Sequence, residues 1–175
     1  MVGWAFSFSA LSYIIRKKGC GLMLQSTLCY LERGGAYLML HRVKKEQDAN
    51  RDKWIGVGGK FEDKESPEDC LVRECWEETG LTLTRWEKRG EIDFLSDKFD
   101  SERMHLYTAD EFSGALRACD EGDLAWIPEE KLFDLSMWEG DRVFLNMLMD
   151  EAPEFRMTLR YKGDTLVETH VEYLG

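Results

Sequence analysis

One stretch of this chain is punctuated at both ends, and it limits what the rest can be. Ser66 is placed to cap a helix, Pro67 suits its first turn, and Asp69 completes a capping box. Gly80 supplies the left-handed residue on which helices end, so the predicted helix runs to Thr79. At about 100° per residue, Leu71, Val72, Cys75 and Trp76 fall on one side. Arg73, Glu74, Glu77 and Glu78 share the opposite arc. A helix with a single apolar side has to bury that side, and the segments around it are β-prone.

The expected cover is therefore a sheet. Ser26–Leu31 and Ala36–His41 flank Arg33-Gly34-Gly35, a hairpin pattern. The charged run from Arg42 to Lys53 reads as a loop, and Trp54–Gly59 as a short strand giving way to a glycine turn. Further strands are expected at Leu83–Phe94, Arg103–Phe112 and Leu124–Ile127, with helices at Pro128–Leu135 and Asp141–Asp150. Phe155–Tyr161 and Thr165–Val171 form a last hairpin around Lys162-Gly163-Asp164. With 175 residues, 43% of them hydrophobic, and no internal repeat, the chain reads as one α+β domain able to build its own core.

Charge and cysteine usage exclude several functions. Acidic residues outnumber basic ones 34 to 23, a net charge of −11 that repels a nucleic-acid polymer. A small phosphorylated ligand stays open where metal ions supply positive charge. The five cysteines, Cys20, Cys29, Cys70, Cys75 and Cys119, form no C-x-x-C pair and fit a reducing cytoplasm. Met1–Ile15 is apolar but shorter than the roughly 20 residues a membrane helix needs. Its basic residues come after the apolar run, where a secretory leader has them before. Residues 1–22 read as an anchor stub, an extra docking segment or a leader that belongs to no fold; the last is the expectation, with 23–175 forming the domain.

The acidic arc of the helix is costly as it stands. Glu74 and Glu78 are four apart, where like charges repel. Glu77 and Glu78 occupy the last turn, where the helix dipole disfavours anions. A solvated face gains nothing from either placement, whereas a site for hard cations gains carboxylate ligands.

Gly59–Leu81 resembles the Nudix box, G-x5-E-x7-R-E-U-x-E-E-x-G-U, with U a bulky apolar residue. Gly59, Glu65, Arg73, Glu74, Glu77, Glu78 and Gly80 occupy its fixed positions; Leu81 fits the final U, and Cys75 fits the other as a smaller apolar residue. At background frequencies of about 7% per residue type, seven fixed matches arise by chance in fewer than about one in 10⁵ such chains. Beyond the box, W-x-G-x-G-G-K at Trp54–Lys60, E-x-x-x-x-W at Glu121–Trp126 and M-W-x-x-D at Met137–Asp141 are similar to MutT-type 8-oxo-dGTP diphosphatases. The likeness runs from Gln25 to the C-terminus.

That resemblance implies the Nudix fold, an α/β/α sandwich around a mixed β-sheet. It also implies hydrolysis of nucleoside diphosphates linked to another group, with Mg2+ or Mn2+. By position, Glu77 and Glu78 would be the principal metal ligands, joined by the Gly58 carbonyl. Glu74 would bind metal or accept the proton of the attacking water, and Arg73 would hold Glu65 or another acid of the box by a bidentate pair. Glu121 is a late metal ligand or a loop acid, and Lys60 touches a phosphate or is an ordinary surface lysine. Trp138 would stack on the purine or anchor the helix after it, Asp141 would hydrogen-bond the base edge, and Phe94 would line the base pocket or belong to the core.

Two departures bear on base choice. Ile55 stands where the vertebrate members of the resembled MutT-type group have asparagine, and Gly140 where they have a second aspartate, which leaves Asp141 and Glu139 to grip the base. The implied activity is cleavage of 8-oxo-dGTP to 8-oxo-dGMP and pyrophosphate, a nucleotide-pool sanitation. The alternatives are hydrolysis of ADP-ribose or a nucleotide sugar, and nucleotide sensing without turnover. The expected partner is a small nucleotide, with no nucleic-acid polymer and no membrane, bound by a monomer or weak homodimer.

Overall fold

The computed structural model describes residues 23–44 and 48–175. The expectations for residues 1–22 fall outside these. Among the described residues, no helix is long and apolar enough to cross a membrane.

The glycine turn at Gly34-Gly35 joins β1 (Leu24–Arg33) to β2 (Ala36–His41), with Leu31 opposite Leu38 and Arg33 opposite Ala36. There follow β3 (Trp54–Ile55), α1 (Pro67–Thr79), β4 (Leu81–Ser96), β5 (Glu102–Gly114), β6 (Asp123–Pro128), α2 (Glu139–Met149), β7 (Phe155–Lys162) and β8 (Thr165–Tyr173). The strands make one sheet in the order β3-β2-β1-β5-β4-β7-β8, with β6 paired to β2. β1 runs parallel to β5 and β4 parallel to β7, while the hairpins are antiparallel, so the sheet is mixed.

Strand periodicity divides the core in two. Along β1, Leu28 and Tyr30 point to one face and Cys29 and Leu31 to the other, all buried. Phe144, Leu145 and Leu148 of α2 cover the first face; Leu71 and Cys75 of α1 cover the second. Two helix-covered faces give the sandwich expected from the sequence.

The local signals hold with four corrections. Only Trp54 and Ile55 of the Trp54–Gly59 stretch enter the ladder. Beyond them Val57 exchanges backbone bonds with Cys29, and the Gly59 carbonyl accepts from the Thr27 N–H at 2.9 Å. Gly58, at φ 154°, passes so close that a Cβ would run into the Thr27 carbonyl. Pro128–Leu135 is a six-residue 3-10 helix at Glu129–Asp134, and α2 begins at Glu139, two residues before expected. The capping box is half formed: Asp69 N–H donates to Ser66 Oγ at 3.2 Å, but the Asp69 carboxylate takes the Ser66 hydroxyl at 2.7 Å.

The fourth correction concerns which side of α1 is buried. Trp76 is 50% exposed, and the Arg117 guanidinium lies 4.2 Å from its ring centroid. Arg117 also donates to the Trp76 and Glu77 carbonyls at 2.7 and 3.0 Å, serving the open end of a helix that has no basic residue in its last turn. In exchange, the seam of the acidic arc turns inward, and Glu78 is only 6% exposed.

Candidate active site

Arg73 gathers the acids of α1. Its Nε and Nη2 fork onto Glu65 Oε1 and Oε2 at 2.7 and 2.8 Å, the bidentate pair expected from the sequence. Its Nη1 donates to Glu74 Oε1 at 2.7 Å and Glu77 Oε2 at 3.1 Å, and Nη2 to the Lys60 carbonyl at 3.1 Å. The hydrogen bonds from Arg73 hold the Glu65 carboxyl down at about 2, against the opposing pull of burial. A Cβ at Gly59 would coincide with the Glu74 carboxylate, so the glycine leaves the room this acid occupies.

Glu78 turns the other way. It accepts the Gly58 N–H at 3.0 Å, and Arg42 Nη1 stands 3.8 Å from its Oε1. The same Nη1 donates to Glu121, and Arg42 Nε to Asp48 Oδ2 at 2.7 Å. Two different guanidinium groups therefore offset the like charges of Glu74 and Glu78, which explains how the helix tolerates them. The structure brings Glu65, Glu74 and Glu77 together through Arg73, and Glu78, Gly58 and Glu121 around Arg42.

The donors suit a hard divalent cation. Carboxylate oxygens on one helix face, beside a loop whose backbone comes within hydrogen-bond reach of Glu78, are the ligand type that magnesium and manganese take. Among the described residues, no three histidine, cysteine or acidic side chains converge as a ready-made cage. The acids are held by arginine instead, so positive charge already stands where a metal would place it.

On the other side of the sheet lies a cavity of about 280 Å³. Trp138, Asp141, Lys60 and Phe94 all line it, as do Ile55 and Tyr161. Trp138 holds the N-cap position of α2 and meets Tyr161 edge to face at 5.2 Å, so it both starts the helix and walls the cavity. Lys53 Nζ stands 4.5 Å from its ring centroid and covers one face. Asp141 is 8% exposed, and no described residue hydrogen-bonds its carboxyl. Burial pushes that carboxyl up to about 7, with Lys53 and Arg142 pulling weakly against the shift. Glu139, the other acid left by the departures, is exposed and does not line the cavity. It precedes Asp141 by two on the helix and so faces away.

Sequence reasoning missed the loop. Arg42, Asp48, Asn50 and Lys53 sit in the charged run read only as a connection, yet Arg42 reaches the acids and Lys53 and Asn50 reach Trp138. Nothing short-range marks them; the available signal was polar residues spaced between two strands that end at the acidic helix.

The site thus pairs an acid-rich, arginine-held helix on one face of a mixed sheet with an aromatic cavity on the other. The NUDIX domain model matches residues 24–148, and the chain belongs to the Nudix family. An oxidized purine nucleoside triphosphate hydrolase of Danio rerio is 27% identical over 127 residues, 72% of this chain and 81% of that protein. The uncharacterized Nudix hydrolase YvcI of Bacillus subtilis is 31% identical over 128 residues, 70% of this chain and 77% of the relative. Among solved structures, the MutT protein of Bacillus halodurans superposes with a TM-score of 0.76 at 24% identity, covering 86% of this chain and 98% of that one, which supports the fold.

Proposed function

We propose that this Nudix protein is a metal-dependent nucleoside triphosphate pyrophosphohydrolase that converts 8-oxo-dGTP to 8-oxo-dGMP and pyrophosphate. The observation that carries this reading is the junction at Lys60. Lys60 lines the aromatic cavity, and its carbonyl takes Arg73, which holds the acids of α1. A nucleotide with its base against Trp138 and Asp141 would reach those acids with its phosphates.

Magnesium or manganese held by Glu77, Glu78 and Glu74, with the Gly58 carbonyl and Glu121, would screen the phosphates and lower the pKa of a bound water. Arg73 fixes the carboxylates in place, and its fork on Glu65 keeps that acid ionised and out of proton transfer. Glu74 accepts the proton of the attacking water, whose oxygen forms the new bond to one phosphorus as the bridging P–O bond between the α- and β-phosphates breaks, giving the monophosphate and pyrophosphate. Lys60 meets a phosphate at the mouth of the cavity. The purine takes the face of Trp138 opposite Lys53, with stacking worth ~1–3 kcal/mol, and Asp141 engages its hydrogen-bonding edge. The similarity to the Danio rerio hydrolase supports this substrate class.

A panel of 8-oxo-dGTP, dGTP, dATP, ADP-ribose and a nucleotide sugar, with separate detection of phosphate and pyrophosphate, tests the proposal. The expected result is pyrophosphate release, fastest from 8-oxo-dGTP. Preference for ADP-ribose or the sugar nucleotide, or binding without turnover, would replace it with another Nudix activity or a sensor.

A further inference from the structure

Asn50 lies in the loop between β2 and β3 and lines the same cavity as Trp138 and Asp141. The Trp138 indole Nε1–H donates to Asn50 Oδ1 at 2.8 Å. An indole nitrogen only donates, so the oxygen end of the carboxamide must face Trp138 and the NH2 end must face away. The two ends of an asparagine are normally hard to tell apart, and here the partner decides the matter. Among the described residues, none accepts from that NH2.

The loop keeps Asn50 in place. Its N–H donates to Asp48 Oδ1 at 2.9 Å, and its carbonyl accepts from Lys53 N–H at 2.9 Å. Asp48 is gripped by Arg42, and the Arg42 backbone exchanges bonds with Lys53 and Asp52 at 3.0 and 2.8 Å. With its backbone N–H, its carbonyl and its side-chain Oδ1 all engaged, and its NH2 meeting no acceptor among the described residues, Asn50 is a fixed lining residue of the cavity with donors to offer.

We propose that Asn50 reads the base, donating to a purine carbonyl oxygen and so favouring oxo-purines over amino-purines. The proposal rests on the reading that this cavity takes a purine. Guanine and its 8-oxo form carry an acceptor at position 6, where adenine carries an NH2 donor that would confront the Asn50 donors. Asp141 supplies the complementary group for ring N–H donors. Ile55, on the same wall, offers neither. Lys60 and Tyr161 line the cavity too: the lysine's charge suits a phosphate better than a neutral carbonyl, and the Tyr161 hydroxyl already accepts the Gly140 N–H at 2.8 Å.

Asn50→Asp keeps an oxygen for the Trp138 indole and replaces the donors with an acceptor; Asn50→Ser removes the amide altogether. Both would be made in the full chain, checked by thermal melting, and compared with wild type in two assays. Calorimetry measures Kd for 8-oxo-dGMP, dGMP and dAMP without any need for turnover, and kinetics gives kcat and KM for the triphosphates. Losing a hydrogen bond and leaving a buried carbonyl unpaired should weaken oxo-purine binding by about 10-fold or more. We expect KM to rise with kcat within about 2-fold, dAMP binding to hold or tighten with Asn50→Asp, and the oxo-to-amino ratio to collapse in both variants. Equal losses for all three purines, unchanged ratios, or a wild type that binds no purine monophosphate or does not prefer oxo-purines would each overturn the proposal. A wild type that binds oxo-purine monophosphates yet cleaves no purine triphosphate would instead refute the assigned reaction and leave Asn50 as the reader.

Discussion

Replacing Asp141 by asparagine should stabilise the protein, and the gain should grow with pH. The side chain is 8% exposed, no described residue hydrogen-bonds its carboxyl, and burial lifts it from 3.8 to about 7. The groups that face it are Lys53 from the loop and Arg142 from its own helix, both favouring the charged form, and Tyr30 of β1 and Tyr161 of β7, which stay neutral because burial raises them too. An acid raised in the folded state helps folding fully below its unfolded pKa of 3.8 and loses that help as pH rises to about 7. Across the window the folded protein keeps a proton that the unfolded chain has released. Each pH unit is worth about 1.4 kcal/mol, so the loss between pH 5 and pH 7 is roughly 3 kcal/mol. Asparagine fills the same space and has no proton to release. Melting curves or urea titrations of both proteins from pH 5 to pH 8.5 should show a difference that widens by about 6–12 °C in Tm and levels off above pH 7. Groups that titrate in both proteins, such as His105, cancel in that difference. A gap constant to within about 1 kcal/mol over the range would mean that Asp141 ionises normally and the cavity wall is not as dry as its burial implies.

Two further predictions concern chemistry and packing. Glu78→Gln and Glu77→Gln should each lower kcat by about 10³-fold or more at saturating magnesium, with the far-ultraviolet spectrum unchanged; wild-type turnover in either removes that residue from the metal ligands. Gly140→Ala places a Cβ 2.5 Å from Leu159 Cδ1 and 2.9 Å from the Tyr161 hydroxyl, which already accepts the Gly140 N–H at 2.8 Å. It should cost about 1–3 kcal/mol by overpacking, read as a lower Tm, and an unchanged Tm would show that α2 shifts freely.

What the sequence disclosed was set by short-range physics. The Gly34-Gly35 turn, the Ser66 cap and the Gly80 stop are decided by neighbours within a few residues, and each lies where its chemistry placed it. The Arg73–Glu65 fork was legible because one motif carries both partners. Helical periodicity fixed the sectors of α1 but not which sector met the sheet, since an arginine far along the chain, Arg117, makes the exposed position of Trp76 favourable. Arg42 and Glu121 likewise meet only because β2 and β6 are paired, a contact no local pattern announces. The Asn50–Trp138 bond joins residues 88 apart and depends on the whole fold.

The mixed sheet stands between the two halves of the site: α1 and its acids on one face, the aromatic cavity and α2 on the other. They are joined by the Gly58–Lys60 strip and by the contacts of the β2–β3 loop, in which Arg42 meets Glu78 and Asp48 while Asn50 meets Asp48 and Trp138. Such a division lets selection act on the halves at different rates. On the proposed function, substitutions at Asn50 or Ile55 would change which base is admitted while leaving the acids and Arg73 in place. A change of specificity would then need only one wall of the pocket to be remodelled.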